Sequence, residues 1–193
     1  MLHGRGADEE DLLGLSEYLD PRFLIMNARA PFPFPFGGGY TWYDFAAVGT
    51  PDPSMFKTSY EKLAQFVDDA LRHYPVDRNN VYLLGFSMGT VMSYALALTT
   101  PELVRGVVAN SGYVPEGTHL VYRWSELGSV DFLITHGIHD PVIPIEFGRR
   151  SRDILSRSTA NVTYNEYPMG HQISEESLGE VAGWLRNRLD NQS

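Results

Sequence analysis

The stretch Gly85-Phe86-Ser87-Met88-Gly89 places a serine between two glycines, at the junction of two apolar runs. Residues 81–86 have the pattern of a buried strand, and residues 88–100 have the pattern of a helix. A strand, Gly-x-Ser-x-Gly and a helix form a nucleophile elbow, in which a strained turn holds the serine hydroxyl above the sheet. Ser87 is therefore the candidate nucleophile of an acyl transfer. The helix behind it would bring the Met88 backbone N–H beside the reacting atoms.

A serine hydroxyl needs a base that takes its proton and an acid that orients the base. His171, in EYPMGHQIS, follows the last apolar strand, where a proline and a glycine end the regular structure. Asp140, in HGIHDPVIP, follows the strand DFLITH. Both would lie at carboxyl ends of strands, where parallel sheets bind their ligands, on the same rim as Ser87. We therefore predict a Ser87–His171–Asp140 triad.

The other aspartates and histidines fit ordinary structural roles. Asp131 begins its strand, at the wrong edge of the sheet, and Asp153 falls within a predicted helix. Five histidines are expected in loops, on a helix surface or at strand ends, with local hydrogen bonds: His3, His73, His119, His136 and His139. The chain order serine, aspartate, histidine is that of α/β-hydrolases.

The elements that must position these residues alternate between helix and strand patterns. Helices are predicted for residues 8–19, 54–74, 88–100, 144–158 and 174–189, and strands for residues 22–27, 81–86, 104–110, 132–136 and 162–167. Residues 28–53 are rich in proline and glycine and should be irregular. Strands separated by helices indicate a mostly parallel sheet covered on both faces. We expect one α/β domain spanning residues 1–193.

Composition argues against several functional classes. Fifteen Lys and Arg against 24 Asp and Glu give a net charge of −9, which is unfavourable for a nucleic-acid partner. There is no cysteine, and the histidines need no metal to explain them, so we expect neither a metal nor an organic cofactor. No apolar stretch approaches the roughly 18 residues of a membrane span, and a signal-peptide pattern is lacking. A cytoplasmic protein without membrane insertion is the expectation.

Five stretches resemble the phospholipase/carboxylesterase branch of the α/β-hydrolases, which includes carboxylesterases and acyl-protein thioesterases. They are LHGRGAD, GGGYTWYDF, GFSMGT, HGIHDPVIP and NVTYNEYPMGH, and they occur in family order nearly end to end. The resemblance implies an α/β-hydrolase fold, with a mostly parallel central sheet flanked by helices. It implies the triad Ser87, Asp140 and His171. It also implies an oxyanion hole made by the backbone N–H groups of Met88 and Arg5, with the Arg5 side chain simply solvated.

Two departures from the family pattern bear on the site. Many relatives have Gln and Gly where this chain has Met88 and Thr90; Met88 should make the pocket floor more apolar but keep the backbone donor. The sequence also begins one residue before Leu-His-Gly, where relatives have a central strand between those predicted at 22–27 and 81–86. We expect the N-terminal strands to be truncated, with the gap reflecting lost upstream residues or filled by a second chain, as in a homodimer.

The resemblance implies a serine carboxylesterase that acts on small-molecule esters. Trp42 and Tyr43 match the family segment beside the active site, and together with Val142 and Ile143 they are expected to line the acyl pocket. Residues 111–129 leave little room for a cap domain, so an open site should favour short- to medium-chain esters. The alternatives are an acyl-protein thioesterase or lysophospholipase, and a non-catalytic ligand-binding protein on the same scaffold.

Overall fold

A four-stranded parallel sheet is the centre of the protein, described here by a computed structural model for residues 1–191. The strands are β1 (Phe32–Pro33), β2 (Tyr40–Thr41), β3 (Tyr82–Phe86), β4 (Gly106–Asn110), β5 (Asp131–Gly137) and β6 (Asn161–Tyr167). The α-helices are α1 (Pro53–His73), α2 (Met88–Thr99), α3 (Ile145–Leu155) and α4 (Glu175–Asp190). Strands β3, β4, β5 and β6 are neighbours in that order and all pair in parallel, so their carboxyl ends share one rim.

Both faces of the sheet are covered, as the alternation of helices and strands predicts. Leu83, Val107 and Phe132 lie in the larger hydrophobic cluster, to which α1 and α2 contribute. Their sequence neighbours Leu84, Val108 and Leu133 lie in the smaller cluster with residues of α4. This period of two follows from the strand geometry, because successive side chains point to opposite faces of the sheet.

The starts of α1 and α4 follow from side-chain capping. Asp52 caps α1, where its Oδ1 accepts hydrogen bonds from the N–H groups of Ser54 at 3.0 Å and Met55 at 2.8 Å. Ser174 caps α4 in the same way by accepting a bond from the Ser177 N–H. Side chains that satisfy the first free N–H groups favour a helix start at these positions. The α-helical and strand assignments from residue 53 onwards therefore agree closely with prediction.

The prediction of a helix over residues 8–19 is wrong. The structure has turns followed by a short 3₁₀ helix, Leu13–Tyr18. Leu12 and Leu19 are buried, whereas Leu13 is 53% exposed, so the segment does not bury a continuous helical stripe. Gly14 lies inside it and lowers helix propensity. The apolar spacing anchors this segment to the sheet without forming an α-helix.

The predicted strand at residues 22–27 is also wrong. A strand requires a neighbouring main chain, and among residues 1–191 only Met1 and Leu2 provide one here. Met1 donates to the Met26 carbonyl at 2.5 Å and accepts from the Ala28 N–H at 3.1 Å. Leu2 forms isolated parallel bridges to both Ala28 and Gly85.

The expected gap beside β3 is present within the described residues. Leu2 lies between Ala28 and β3 and pairs with both, but only this one residue occupies the position of a strand there. Beyond it lies a cavity of about 420 Å³, lined largely by apolar side chains of residues 22–26, α1 and residues 81–84.

The connections at the carboxyl rim of the sheet contain little regular structure. Residues 28–53 are irregular as predicted, apart from the two-residue strands β1 and β2, which pair with each other. Between β4 and β5 the helical structure is one 3₁₀ helix, Trp124–Ser129, consistent with the absence of a large cap. Within residues 1–191, no helix combines the length and apolar character of a membrane span.

Candidate active site

Ser87 occupies the turn between β3 and α2 with strained backbone angles, φ 54° and ψ −117°. The two flanking glycines are required by close approach of the main chain. A Cβ on Gly85 would lie 2.5 Å from the backbone of Thr90 at the start of α2. A Cβ on Gly89 would lie 2.1 Å from the Leu2 carbonyl oxygen. The neighbouring strand β4 fixes the turn, because its last carbonyl, on Asn110, accepts a bond from the Ser87 N–H at 3.0 Å.

Ser87, His171 and Asp140 are joined by two hydrogen bonds. The Ser87 Oγ lies 2.9 Å from His171 Nε2, and the His171 Nδ1 lies 2.7 Å from Asp140 Oδ2. An ionised carboxylate only accepts, so Nδ1 carries the ring proton and Nε2 is left to accept the serine proton. Three residues far apart in sequence thus form the relay that acyl transfer requires.

The loop after β5 holds Asp140 rigidly. Its Oδ1 accepts the N–H groups of Val142 at 2.8 Å and Ile143 at 2.9 Å, while Oδ2 faces His171. The Asp140 side chain is fully excluded from solvent. This loop is also tied to the segment preceding the histidine, because the His139 N–H donates to the Met169 carbonyl at 3.1 Å. The acid and the base are therefore positioned as one unit.

The backbone amides proposed for the oxyanion hole lie on two separate elements. Met88 is the first residue of α2, and an N–H at this position has no partner within its own helix. Among residues 1–191, no acceptor receives the backbone N–H of Arg5. Gly4, beside Arg5, lies close to the nucleophile, since a Cβ built on it would be 3.4 Å from the Ser87 Cβ.

His3 holds the turn that carries the Arg5 amide, a role that the sequence did not reveal. Its Nδ1 donates to the Gly4 carbonyl at 2.7 Å, and its Nε2 accepts the Ala30 N–H at 3.0 Å. This pair of contacts requires a neutral ring, and burial lowers the pKa of His3. The expected local hydrogen bonds are present, and they brace the turn beside Ser87.

The expectation that the Arg5 side chain is simply solvated is wrong, because it makes one ionic and two aromatic contacts. Its guanidinium lies 3.1 Å from the Asp44 carboxylate. It also lies over the rings of Phe34, at 4.8 Å, and Phe45, at 4.6 Å. Arg5 therefore connects the turn near the serine to the aromatic loop of residues 34–45.

The four expected pocket residues are not brought together at one open surface. Trp42 and Tyr43 are almost fully buried: Trp42 Nε1 donates to the His3 carbonyl at 2.9 Å, and Tyr43 packs on Phe56. Ile143 is buried, whereas the neighbouring Val142 is 53% exposed. Substrate contact by these residues stays a prediction.

Phe86 is a neighbour of the site that the sequence did not single out. Its ring centroid lies 4.9 Å from that of His171. The residue occupies the variable position of Gly-x-Ser-x-Gly, so the motif itself carries no signal for it. Phe86 is half-buried and shields one side of the imidazole.

Comparison with known proteins identifies the family of the chain and several similar proteins. The phospholipase/carboxylesterase family model matches residues 1–189. A probable carboxylesterase SOBER1-like protein from Arabidopsis thaliana is 26% identical, covering 100% of this chain and 79% of that protein. Acyl-protein thioesterase 1 from Cryptococcus neoformans var. neoformans serotype D is 31% identical, covering 97% of this chain and 90% of that protein. The Bacillus cereus carboxylesterase structure is 26% identical with a TM-score of 0.84, covering 96% of this chain and 86% of that one. The predicted α/β-hydrolase fold is confirmed, and the chain belongs to the phospholipase/carboxylesterase family of carboxylic ester hydrolases.

Proposed function

We propose that the protein is a serine esterase that hydrolyses short- to medium-chain carboxylic esters through an acyl-enzyme on Ser87. The observation that carries the proposal is the unbroken hydrogen-bonded path from Ser87 Oγ through His171 to Asp140, at 2.9 and 2.7 Å. These distances lie within the reach that a general base requires.

The reaction proceeds in two acyl-transfer steps. Ser87 Oγ attacks the ester carbonyl while His171 Nε2 takes its proton, and Asp140 stabilises the imidazolium that forms. The backbone amides of Met88 and Arg5 stabilise the oxyanion, each by about 3 kcal/mol in the transition state. The imidazolium then protonates the leaving alkoxide. Water, activated by the same imidazole, hydrolyses the acyl-enzyme and regenerates the serine.

The connection between β4 and β5, which lacks a large helical insertion, supports the preference for shorter acyl chains. Ser87 is 8% exposed and lies at the carboxyl rim, and the helical structure within residues 111–129 is one short 3₁₀ helix, Trp124–Ser129. The cavity of about 420 Å³ beside β3 is not lined by any member of the triad, so this cavity does not serve as an acyl tunnel from the serine. A site without such a tunnel gives long acyl chains little additional burial.

The test is hydrolysis of p-nitrophenyl esters of increasing acyl length by the parent protein, Ser87→Ala and Ser156→Ala. Ser156 is an exposed residue just after α3, so its variant should match the parent. Ser87→Ala should lose on the order of 10⁶-fold in kcat while remaining folded. Parent-like turnover by Ser87→Ala would refute the assignment of Ser87 as the nucleophile. Faster turnover of long-chain than of short-chain esters by the parent would refute the chain-length preference.

An acyl-protein thioesterase is the second candidate, favoured by the similarity to acyl-protein thioesterase 1. The two activities share the serine chemistry and differ in the leaving group, so rates on an oxyester and a thioester with the same acyl group distinguish them. A fluorophosphonate probe tests the remaining alternative, a non-catalytic ligand-binding protein, since that protein would leave Ser87 unlabelled.

A further inference from the structure

His136, near the end of β5, is a buried titratable residue that the proposed reaction does not use. Its side chain is fully excluded from solvent. The ring Nε2 lies 2.8 Å from the Ile143 carbonyl oxygen. A carbonyl only accepts hydrogen bonds, so Nε2 carries the proton and Nδ1 carries the lone pair. The contact therefore fixes the orientation and the tautomer of the ring.

Stability alone does not account for a histidine at this position. Among residues 1–191, Nδ1 has no hydrogen-bond partner, although it is buried. Helix α3 packs closely against it, since a Cβ on Gly148 would lie only 2.6 Å from Nδ1. A buried polar atom without a partner costs free energy that an apolar side chain in the same space would not cost.

The ring is connected to the proposed triad through the main chain of one residue. The Ile143 carbonyl accepts from His136, and the Ile143 N–H donates to Asp140 Oδ1 at 2.9 Å. The second carboxylate oxygen, Oδ2, receives the Nδ1–H of His171 at 2.7 Å. His136 Nε2 also lies 3.5 Å from that Oδ2, so its N–H dipole presents a positive end to the carboxylate.

We propose that His136 is a positioning residue for the triad acid: it anchors Ile143, whose N–H in turn holds the Asp140 carboxylate in the orientation that reaches His171. The inference rests on the proposed serine-esterase function and assigns a further residue to that site. His136 itself touches neither the substrate nor the reacting atoms.

The surroundings keep the ring neutral, as this role requires. Burial lowers the pKa of His136, in spite of the Ile143 carbonyl and the nearby carboxylates. The titratable groups that face it are Asp140, His171 and, from the adjacent strand β6, Glu166. Glu166 is itself paired with Arg149 at 2.8 Å. A neutral donor stabilises the aspartate orientation without adding a full charge that would compete with the imidazolium of His171.

The first test compares His136→Gln with His136→Met. The two side chains have similar length and flexibility, but only glutamine can donate to the Ile143 carbonyl. His136→Met should lose about 10- to 100-fold in kcat with KM nearly unchanged, because a displaced aspartate weakens the base in the transition state. The acid limb of its kcat/KM profile should move to lower pH, since the imidazolium loses part of its carboxylate stabilisation. His136→Gln should recover most of the activity and the parent pH profile.

The second test displaces the ring without replacing it. Gly148→Ala adds a methyl group where only 2.6 Å is available, so the imidazole must shift away from α3. We expect a smaller loss of kcat with the same shift of the acid limb. Gly179→Ala is the matched control, because its added Cβ meets nothing within 4 Å and α4 carries no triad residue. If His136→Met does not fold, the positioning role is tested by Gly148→Ala, whose unchanged kcat and acid limb would refute it.

The outcomes separate this inference from the proposed function. Activity is expressed per serine labelled by the fluorophosphonate, which removes effects of the folded fraction. A parent protein that neither labels nor turns over esters would refute the esterase function. An active parent together with a His136→Met variant of unchanged kcat and pH profile would refute the positioning role. If less protein were labelled but the acid limb of the kcat/KM profile did not shift, His136 would have a purely structural role. That result would also refute the positioning role.

Discussion

Replacing Gly89 by alanine should damage both the stability and the activity of the protein, through a contact outside the triad. A Cβ at residue 89 would lie 2.1 Å from the Leu2 carbonyl oxygen and 2.7 Å from that of His3. An ordinary C···O contact is about 3.3 Å, so Leu2 must retreat by about 1.2 Å. Leu2 is held to β3 by its N–H donating to Leu84 at 2.8 Å and its carbonyl accepting from Phe86 at 3.1 Å.

The size of the effect follows from these contacts. Overpacking against the main chain costs about 1–3 kcal/mol. Weakening the two bonds to β3 adds about 1 kcal/mol each, and the better helix propensity of alanine returns about 1 kcal/mol. A net loss of about 2–4 kcal/mol in the free energy of unfolding is expected. The Arg5 amide lies three residues beyond Leu2, and its displacement by about 1 Å should lower kcat by about 10²-fold.

Urea unfolding and p-nitrophenyl ester kinetics measure the two effects on the same samples. Gly179→Ala makes the same chemical change at an exposed position of α4, where nothing lies within 4 Å of the new Cβ. The free energy of unfolding of Gly179→Ala should rise by up to about 1 kcal/mol, and its kcat should not change. If Gly89→Ala were as stable and as active as Gly179→Ala, the close approach of Leu2 to the elbow would be refuted.

Three further predictions address the surroundings of the triad. Asp140→Asn should lose about 10⁴-fold in kcat, measured per mole of folded protein; a loss of less than about tenfold would contradict its role as the acid. Arg5→Ala keeps the backbone amide and should keep kcat, with a stability loss below about 1 kcal/mol from the partly exposed Asp44 pair. Arg5→Pro removes the amide hydrogen and should lose about 10²–10³-fold in kcat; equal rates for the two variants would exclude that oxyanion donor. Finally, burial lowers the pKa of His3 and His136, so the unfolded state binds protons more readily. The free energy of unfolding should be highest above about pH 6.5 and fall as the pH drops towards the folded-state pKa values, and urea titrations showing constant stability down to about pH 5 would contradict this.

The positions of the triad residues could be predicted because they depend on local turn chemistry and on one topological rule. Gly-x-Ser-x-Gly specifies the turn at Ser87, and the ends of two later strands supply Asp140 and His171. A parallel sheet brings all these ends to one rim whatever the loop details are. Pattern and topology therefore predicted that the three side chains would meet without any knowledge of the contacts between them.

The N-terminal segments could not be predicted in the same way, because their structure depends on partners distant in sequence. Residues 22–27 are apolar enough for a strand, but a strand exists through hydrogen bonds to a neighbour, and within residues 1–191 that neighbour is only Met1 and Leu2. Trp42 shows the same limit for a side chain. Its indole donates to the His3 carbonyl, 39 residues away, and this bond directs the ring into the core.

Ser87 and Arg5 are held in place by different kinds of contact. Ser87 can keep its strained backbone because α2 is buried along almost its whole length and leaves the turn no room to relax. Arg5, by contrast, is fixed through its side chain to an exposed carboxylate and two aromatic rings of the loop at residues 34–45. We expect changes in that loop to reach the turn near the serine through the Arg5 side chain and to leave the path from Ser87 to Asp140 intact. Selectivity for acyl and leaving groups should therefore be changed most readily through residues 34–45, whereas substitutions that disturb the packing of α2 against β3 should reduce turnover for every ester alike.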